Sequence, residues 1–391
     1  MGRRRNLRRL AITLVVASAA LAPISATTAS ATVGKWADVP AKFWARAAIN
    51  FVGGTHPWMR DYGATHFKPD RLETRKYLAH AMVMAFAPHA SVDYGIHFGD
   101  LAQTDPFYPF ADIAVKLHWM AKVDGNFLPD RPVTMLDTHI ALVNAVGLGR
   151  VAGGFNHIRT SDGYRFKHPK HLGALELGML LGLRYNHANV ALDVLPSQRL
   201  NRAEAAYSLS RAYIDKTRQP WRITSLRSYA HVVLPAFSRS MRRVVQFGLR
   251  YVGYPYVYAG DWYRRTPSGY CCGVQMKGGF DCSGLTWWLM KAPAGGYDNR
   301  RFRHYEGWSL AQRSSEQMAT VGAAISWRHK RPGDLLLYDG SGTGNIDHVD
   351  VFVGAGYALD SSSGAAGVTL LWVGTGWYRE HFVHARRIIP R

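Results

Sequence analysis

Cys282 follows Asp281 and precedes Ser283-Gly284-Leu285 and the apolar Trp287-Trp288-Leu289-Met290. Asp281 can cap a helix, and the apolar run is long enough for a buried one. A thiol at that helix start meets free amides and the positive end of the macrodipole, which favour the nucleophilic thiolate. Such a nucleophile needs a base, and the base needs an orienting acceptor. Asp347-His348-Val349-Asp350-Val351-Phe352-Val353 alternates as a strand, with the valines on one face and His348, Asp350 and Phe352 on the other. Gly354 and Gly356 turn the chain, and a return strand Tyr357-Ala358-Leu359-Asp360 in an antiparallel pair brings Asp360 beside His348. Singly, a strand histidine and a turn aspartate are ordinary structural residues. Their order after Cys282 is what suggests acyl transfer.

These residues need elements to hold them. Phe237 to Tyr251 has helical periodicity, a long loop containing Cys271-Cys272 follows, and the chain from Pro332 onward reads as short strands. Adjacent cysteines close only a strained ring. The three cysteines are too few for a disulfide scaffold, and their odd number leaves one thiol unpaired within a monomer. Gly340-Ser341-Gly342-Thr343-Gly344 imitates a nucleotide loop, but a strand rather than a helix follows it. The 17 histidines show no paired helical spacing for zinc, and thiol chemistry requires no metal or other cofactor.

The chain of 391 residues carries 48 Lys and Arg against 27 Asp and Glu, a formal net charge of +21, and is too long for one ordinary domain. With 47% apolar and 19% charged residues, wholesale disorder and collagen-like repeats are excluded. Arg3, Arg4, Arg5, Arg8 and Arg9 form a basic head before the mostly apolar Leu10 to Ala22, and Ala29-Ser30-Ala31 ends a small-residue segment. This reads as a secretory signal over 1–31, too short for a transmembrane helix. Its removal takes away five arginines and leaves about +16. No later segment spans a bilayer, since the longest uncharged run, Ser361 to Tyr378, is broken by glycines and serines. An exported, strongly basic protein has anionic polymer as its natural partner, and nucleic acid is excluded by location.

The first half contains an internal repeat. Phe67-Lys68-Pro69-Asp70-Arg71-Leu72-Glu73-Thr74 overlies Phe127-Leu128-Pro129-Asp130-Arg131-Pro132-Val133-Thr134 at a spacing of 60, and a looser copy runs from Val194 through Pro196 to Asn201-Arg202-Ala203-Glu204. Each copy reads as helix, loop, helix, with Thr74, Thr134 or Asn201 as N-cap of the second helix. Through Trp36-Ala37-Asp38-Val39-Pro40, Phe67-x-Pro69-Asp70, Thr74-Arg75 and Asn201-Arg202-Ala203-Glu204, residues 36–213 resemble the S-layer homology domain. That resemblance implies a pseudo-threefold helical unit that anchors exported proteins to anionic secondary wall polymer, with Arg75 and Arg202 as the polymer-binding residues. Met135 stands where the second copy would have its arginine, and Lys76 where the first would have alanine.

The second half resembles the NlpC-type cell-wall peptidases, a papain-like family. The resemblance rests on Gly253-x-Pro255-Tyr256, Phe280-Asp281-Cys282-Ser283-Gly284-Leu285, Arg313-Ser314-x-x-Gln317, Pro332-Gly333-Asp334-Leu335 and His348-Val349, in order over residues 242–388. It implies Cys282 as nucleophile, His348 as base and Asp360 as the orienting residue, with Tyr256, Ser283 and Asp281 as oxyanion and substrate-binding residues. The implied substrate is a peptidoglycan stem peptide, cut between the γ-carboxyl of D-glutamate and a diamino acid. Position 360 is often histidine in that family and position 350 normally small, whereas both are aspartate here, and the loop from Asp261 to Gly279 is longer than expected. The expected organisation is a signal peptide over 1–31, all-α repeats over 32–90, 91–150 and 151–215, a linker over 216–236, and an α+β papain-like domain with a central antiparallel sheet over 237–391. Two other functions fit the same residues: thiol chemistry on another amide or a transpeptidation acceptor, and a noncatalytic wall-binding or surface-layer protein.

Overall fold

The computed structural model describes residues 36–269, 273–291, 310 and 312–389. The expected signal segment and Cys271-Cys272 lie outside the described residues. In the first half, the repeats close on one another as a three-membered ring. The first amides of a helix have no acceptor within it, and here each helix start donates to the proline loop of the next repeat. Arg75 and Lys76, opening α1 (Arg75–Phe86), donate to the carbonyls of Arg131 and Pro129 at 3.1 and 3.0 Å. Met135 and Leu136, opening α2 (Met135–Ala145), donate to Gln198 and Pro196, both at 3.0 Å. Arg202 and Ala203, opening α3 (Arg202–Thr217), return to Arg71 and Pro69 at 2.8 and 3.0 Å.

The loops are held in shape by their own sequence. Lys68 and Leu128 take left-handed φ values of 58° and 59°, a conformation uncommon for residues with a Cβ. It is fixed by Asp38, which accepts from the amides of Phe67 and Lys68 at 2.9 and 2.7 Å, and by Asp100, which accepts from Phe127 and Leu128 at 2.8 Å each. Thr134 forms a capping box with Asp137, and Asn201 accepts from the Glu204 amide. Thr74 occupies the cap position without a side-chain cap, and its amide donates instead to Glu73 at 2.9 Å.

Arg75 and Arg202, expected to meet wall polymer, serve this ring from inside. Arg202 is fully buried: Nε donates to the Phe67 carbonyl at 2.9 Å, and Nη1 lies 3.1 Å from both Asp61 and Glu73. Arg75 donates to the carbonyls of Phe127 and Ala121 at 2.6 and 2.8 Å. Each guanidinium stacks at 4.8 Å on the phenylalanine of the neighbouring repeat, Phe67 or Phe127. Both are pins between repeats and are not presented to a polymer.

The third corner explains Met135. There Met135, Met179, Leu200 and Ala366 form one buried apolar cluster, and Ala366 comes from the second half of the chain. A guanidinium at position 135 would be buried among apolar side chains, which is costly without a partner.

Residues 216–236, expected to be a linker, are packed structure. They contain the helix Pro220–Ser225 and a short strand, Val233–Leu234, that pairs in parallel with Arg159–Thr160, and Ile223, Leu226, Tyr229, Val232 and Leu234 are buried. Weak periodicity there reflects short turns whose apolar residues still find a core.

The second half places two helices, α4 (Arg239–Tyr251) and α5 (Cys282–Lys291), against a six-stranded antiparallel sheet. Its strands are β1 (Ala323–Ile325), β2 (Leu335–Tyr338), β3 (His348–Gly354), β4 (Tyr357–Ser362), β5 (Gly367–Trp372) and β6 (Phe382–Arg387), in the order β5-β4-β3-β2-β6-β1. The long loop before α5 contains two small ladders, one pairing Asp261–Trp262 with Gly279–Phe280 and the other pairing Thr266–Gly269 with Gly273–Gln275.

The two halves meet at the β5 edge. The helix Leu172–Leu180 lays Glu176 against it, and both carboxylate oxygens accept from the Leu370 amide at 3.1 and 3.0 Å, covering a donor that an edge strand leaves unpaired. Nη1 of Arg184 donates to the Gly253 carbonyl at 2.8 Å, and the Trp372 amide donates to the Tyr229 hydroxyl at 3.2 Å. Among the described residues no helix is long and apolar enough to cross a membrane.

Candidate active site

Asp281 is the N-cap of α5. Its Oδ1 accepts from the Gly284 amide and from the Ser283 hydroxyl, the latter at 3.1 Å, while its own amide donates to Gly260 at 2.9 Å. The close approach dictates glycine at 284, since a Cβ there would lie 1.9 Å from the Gly260 carbonyl oxygen. Cys282 therefore occupies the first turn, where its amide has no acceptor within the helix. It is buried and free of any disulfide.

Arg313 locks this turn from behind. Its Nε lies 3.3 Å from Asp261, Nη1 donates to the Ser283 hydroxyl at 3.1 Å and lies 3.7 Å from Asp281, and its guanidinium sits over Trp287. Ser283 and Asp281, expected at the oxyanion or substrate, thus belong to the scaffold beneath the thiol. Burial pushes the Asp281 carboxyl up, against the opposing pull of Arg313 and the Gly284 amide.

His348 opens β3. Its Nε2 lies 3.0 Å from Oδ1 of Asp360 and also 3.0 Å from Oδ1 of Asp350. The ladder pairs Ala358 with Phe352 and Leu359 with Val351, after a register shift between Tyr357 and Ala358. Continued by one residue, this register sets Asp360 opposite Asp350, with His348 on the diagonal. Both carboxyls are fully buried, and the His348 side chain is 12% exposed.

Burial alone would lower the imidazole pKa, but the Asp350 and Asp360 carboxylates outweigh it and hold His348 well above the usual histidine range. Burial would raise Asp360, but the His348 imidazolium dominates and holds that carboxyl low. Asp350 goes the other way: burial, then repulsion from Asp360, push it up to about 8.

Tyr256 is half-buried and electrostatically close to both sides of the site. Burial first, then Cys282 and Asp281, raise its phenol, while His348 pulls it down; the net shift is upward, so it stays a neutral O–H donor. Its loop position is fixed by its amide, which donates to the Ala366 carbonyl at 3.2 Å, and by an isolated bridge to Phe280. Three aromatic rings surround the imidazole: Tyr338 at 5.6 Å, Trp377 at 5.9 Å and Tyr378 at 6.1 Å between centroids. The Tyr378 hydroxyl donates to Oδ2 of Asp360 at 3.1 Å. Sequence reasoning did not place Tyr378 or Tyr338 at the site. Trp377-Tyr378, just beyond Gly374-Thr375-Gly376, was the available signal.

His348, Asp350 and Asp360 offer ligand atoms within 4.8 Å of one another. The chemistry they suit best is proton management, since Nε2 already faces the carboxylates and Nδ1 is the ring nitrogen left for a thiol and a leaving group.

Residues 253–387 match the NlpC/P60 family. Over 144 residues the chain is 28% identical to a gamma-DL-glutamyl hydrolase of Bacillus subtilis, covering 37% of this chain and 28% of that protein. It is 27% identical over 148 residues to a gamma-D-glutamyl-L-lysine dipeptidyl-peptidase of Bacillus cereus, covering 38% of this chain and 36% of the relative. The P60 domain of a Mycobacterium avium paratuberculosis antigen aligns at 26% identity over 39% of this chain and 94% of its own, with a TM-score of 0.29. The chain thus spans about a third of the length of these two curated relatives. Its second half carries an NlpC/P60 domain, with Cys282, His348 and Asp360 all inside the matched segment.

Proposed function

We propose that this protein is an exported peptidoglycan endopeptidase. Its second half hydrolyses stem peptides by a Cys282–His348–Asp360 thiol mechanism, and its S-layer-homology-like first half holds the enzyme on anionic wall polymer. The observation that carries the reading is the 3.0 Å contact between His348 Nε2 and Asp360, in a domain whose free thiol opens a capped helix. The Cys282 sulfur attacks the scissile carbonyl carbon, and the resulting oxyanion is met by helix-start amides and the Tyr256 hydroxyl. His348 then delivers its proton to the departing amine and afterwards takes one from the water that releases the acyl group. The D-γ-glutamyl to diamino acid bond is the favoured target, by analogy with the gamma-D-glutamyl-L-lysine dipeptidyl-peptidase.

Purified wall incubated with the parent protein is expected to release peptide fragments, and Cys282→Ala to release none, as read by mass spectrometry. Equal fragment patterns from both proteins would reject catalysis by this thiol and favour a wall-binding role.

With Arg75 and Arg202 buried in the ring, the exposed cations offered to the anchor come from the second half, where it packs on Tyr164 of the first. A cavity of about 550 Å³ at the seam between the halves is lined by Arg239, Arg242, Arg243, Tyr164, Phe237 and Gln246. Arg242 is paired with Asp162 and stacked on Tyr164, while Arg239 and Arg243 are exposed at the start of α4. Cations beside aromatic rings suit a polymer of sugars and anionic groups. The double substitution of Arg239 and Arg243 to Glu is expected to weaken retention on intact wall by about tenfold at low salt, the loss shrinking as salt screens the charges. Sedimentation with wall at two ionic strengths checks this.

A further inference from the structure

One imidazole N–H cannot serve two acceptors equally, yet Nε2 of His348 stands 3.0 Å from a carboxylate oxygen of Asp350 and 3.0 Å from one of Asp360. Both carboxyls are fully buried. Two carboxylates that close, away from water, do not both ionise readily, and one of them keeps a proton. The surroundings decide which. Asp360 Oδ2 receives the Tyr378 hydroxyl at 3.1 Å, a donor that favours the ionised form. Among the described residues, neither oxygen of Asp350 has a donor as well aligned as that one; the Tyr338 hydroxyl faces Asp350 from β2 without closing such a bond, and Oδ1 of Asp360 has no other aligned donor either.

We infer that Asp350 is a positioning residue that carries a proton shared with Asp360, so that the base His348 is braced by an acid–carboxylate pair instead of one carboxylate. This rests on the peptidase reading given above. The pair presents one negative charge to the imidazole through two oxygen atoms. It thereby supports the imidazolium when the thiol gives up its proton, without the second charge that would make the ring too basic to release a proton to the leaving amine. The upward shift at Asp350 and the downward shift at Asp360 agree with this division. Other titratable groups face the pair from every side: His348 on the same strand, Tyr338 from β2, Tyr378 from the helix Trp377–Glu380, Tyr256 from its loop and Glu176 from the first half. None of them brings a second cation.

The proton can be read directly, whether or not wall is cleaved. The infrared difference spectrum of the full chain minus Asp350→Asn is expected to show the C=O band of a protonated carboxylic acid at neutral pH, replaced by carboxylate bands above about pH 8. Asp360→Asn supplies a second check, because with the neighbouring charge removed Asp350 takes over the pairing with His348 and the acid band disappears at neutral pH. Carboxylate bands alone from Asp350 at neutral pH would overturn the inference. For the positioning role, Asp350→Ala is expected to lose about 100-fold in wall hydrolysis, and Asp350→Asn, which keeps an N–H donor toward Asp360, to be at least about tenfold faster than it. Equal rates in the two variants would overturn that role. Absence of hydrolysis in the parent protein too would instead sink the peptidase reading and leave the infrared result to decide the proton.

Discussion

Replacing His348 by alanine is expected to lower the hydrolysis of stem peptides by about 10,000-fold, the scale seen when a catalytic base is lost from a preorganised nucleophile–base unit. The two groups act as one device, so the double variant Cys282→Ala, His348→Ala is expected to be no slower than either single one. The same substitution removes the cation that faces Asp350 and Asp360, both fully buried. Without it the Asp350 carboxyl rises further above its value in the unfolded chain, and Asp360, now buried without the cation that holds it low, rises as well. The folded state then holds protons the unfolded state has released, so stability is lost as pH rises from about 4 and regained on acidification. A loss of about 2 kcal/mol at neutral pH that shrinks toward pH 4 is the expected signature, of the order of a broken buried pair softened by protonation. Thermal denaturation across that range tests it, and a pH-independent loss would count against two carboxyls leaning on one ring.

The nucleophile's turn was legible because its determinants are local: Asp281, Cys282, Ser283 and Gly284 are contiguous, and the cap they predict is the cap observed. The pairing of His348 with Asp360 was legible for a related reason, a hairpin only 12 residues long. What spacing could not supply was the register. The shift between Tyr357 and Ala358 sets Asp360 across from Asp350 and leaves His348 diagonal to it, so two carboxyls face one imidazole. Tyr378 was marked only by the Trp377-Tyr378 pair after Gly374 and Gly376, because it arrives from a short helix after the next strand, by a contact that no periodicity encodes. The repeats show the same divide. Their period and caps could be read along the chain, but the ring is closed by contacts such as Arg202 to Phe67, 135 residues apart. An arginine at a helix start reads as solvated until the partner beneath it is known, and Met135 reads as a lost ligand until Ala366 is seen against it.

Arg202→Met is the substitution expected to cost the fold most. In the parent, Nη1 of Arg202 stands 3.1 Å from both Asp61 and Glu73, with the three side chains at 0 to 2% exposure. Two buried carboxyls share one guanidinium, and the strain is borne by Glu73: burial, and after it repulsion from Asp61 against the attraction of Arg202, puts its carboxyl at about 7. Methionine matches the bulk and can still lie on Phe67, so lost packing is a small part of the effect. The charge is the larger part, because removing one partner from a buried ionic cluster leaves the others uncompensated and costs about 3–5 kcal/mol. Three hydrogen bonds to the first repeat go with it, those to the Phe67 carbonyl, the Met59 carbonyl and Glu73. Since the ring closes only through the third helix returning to the first loop, unfolding should begin at that seam. The pH dependence separates this account from a simple cavity. With a raised folded-state value, Glu73 already makes stability fall as pH rises between about 4.5 and 7, and without the arginine its value climbs higher still. The variant should therefore be most defective above neutral pH and recover part of its deficit near pH 5. A chemical denaturation series that finds the same deficit at both pH values would show that the guanidinium's charge is not what holds the ring closed.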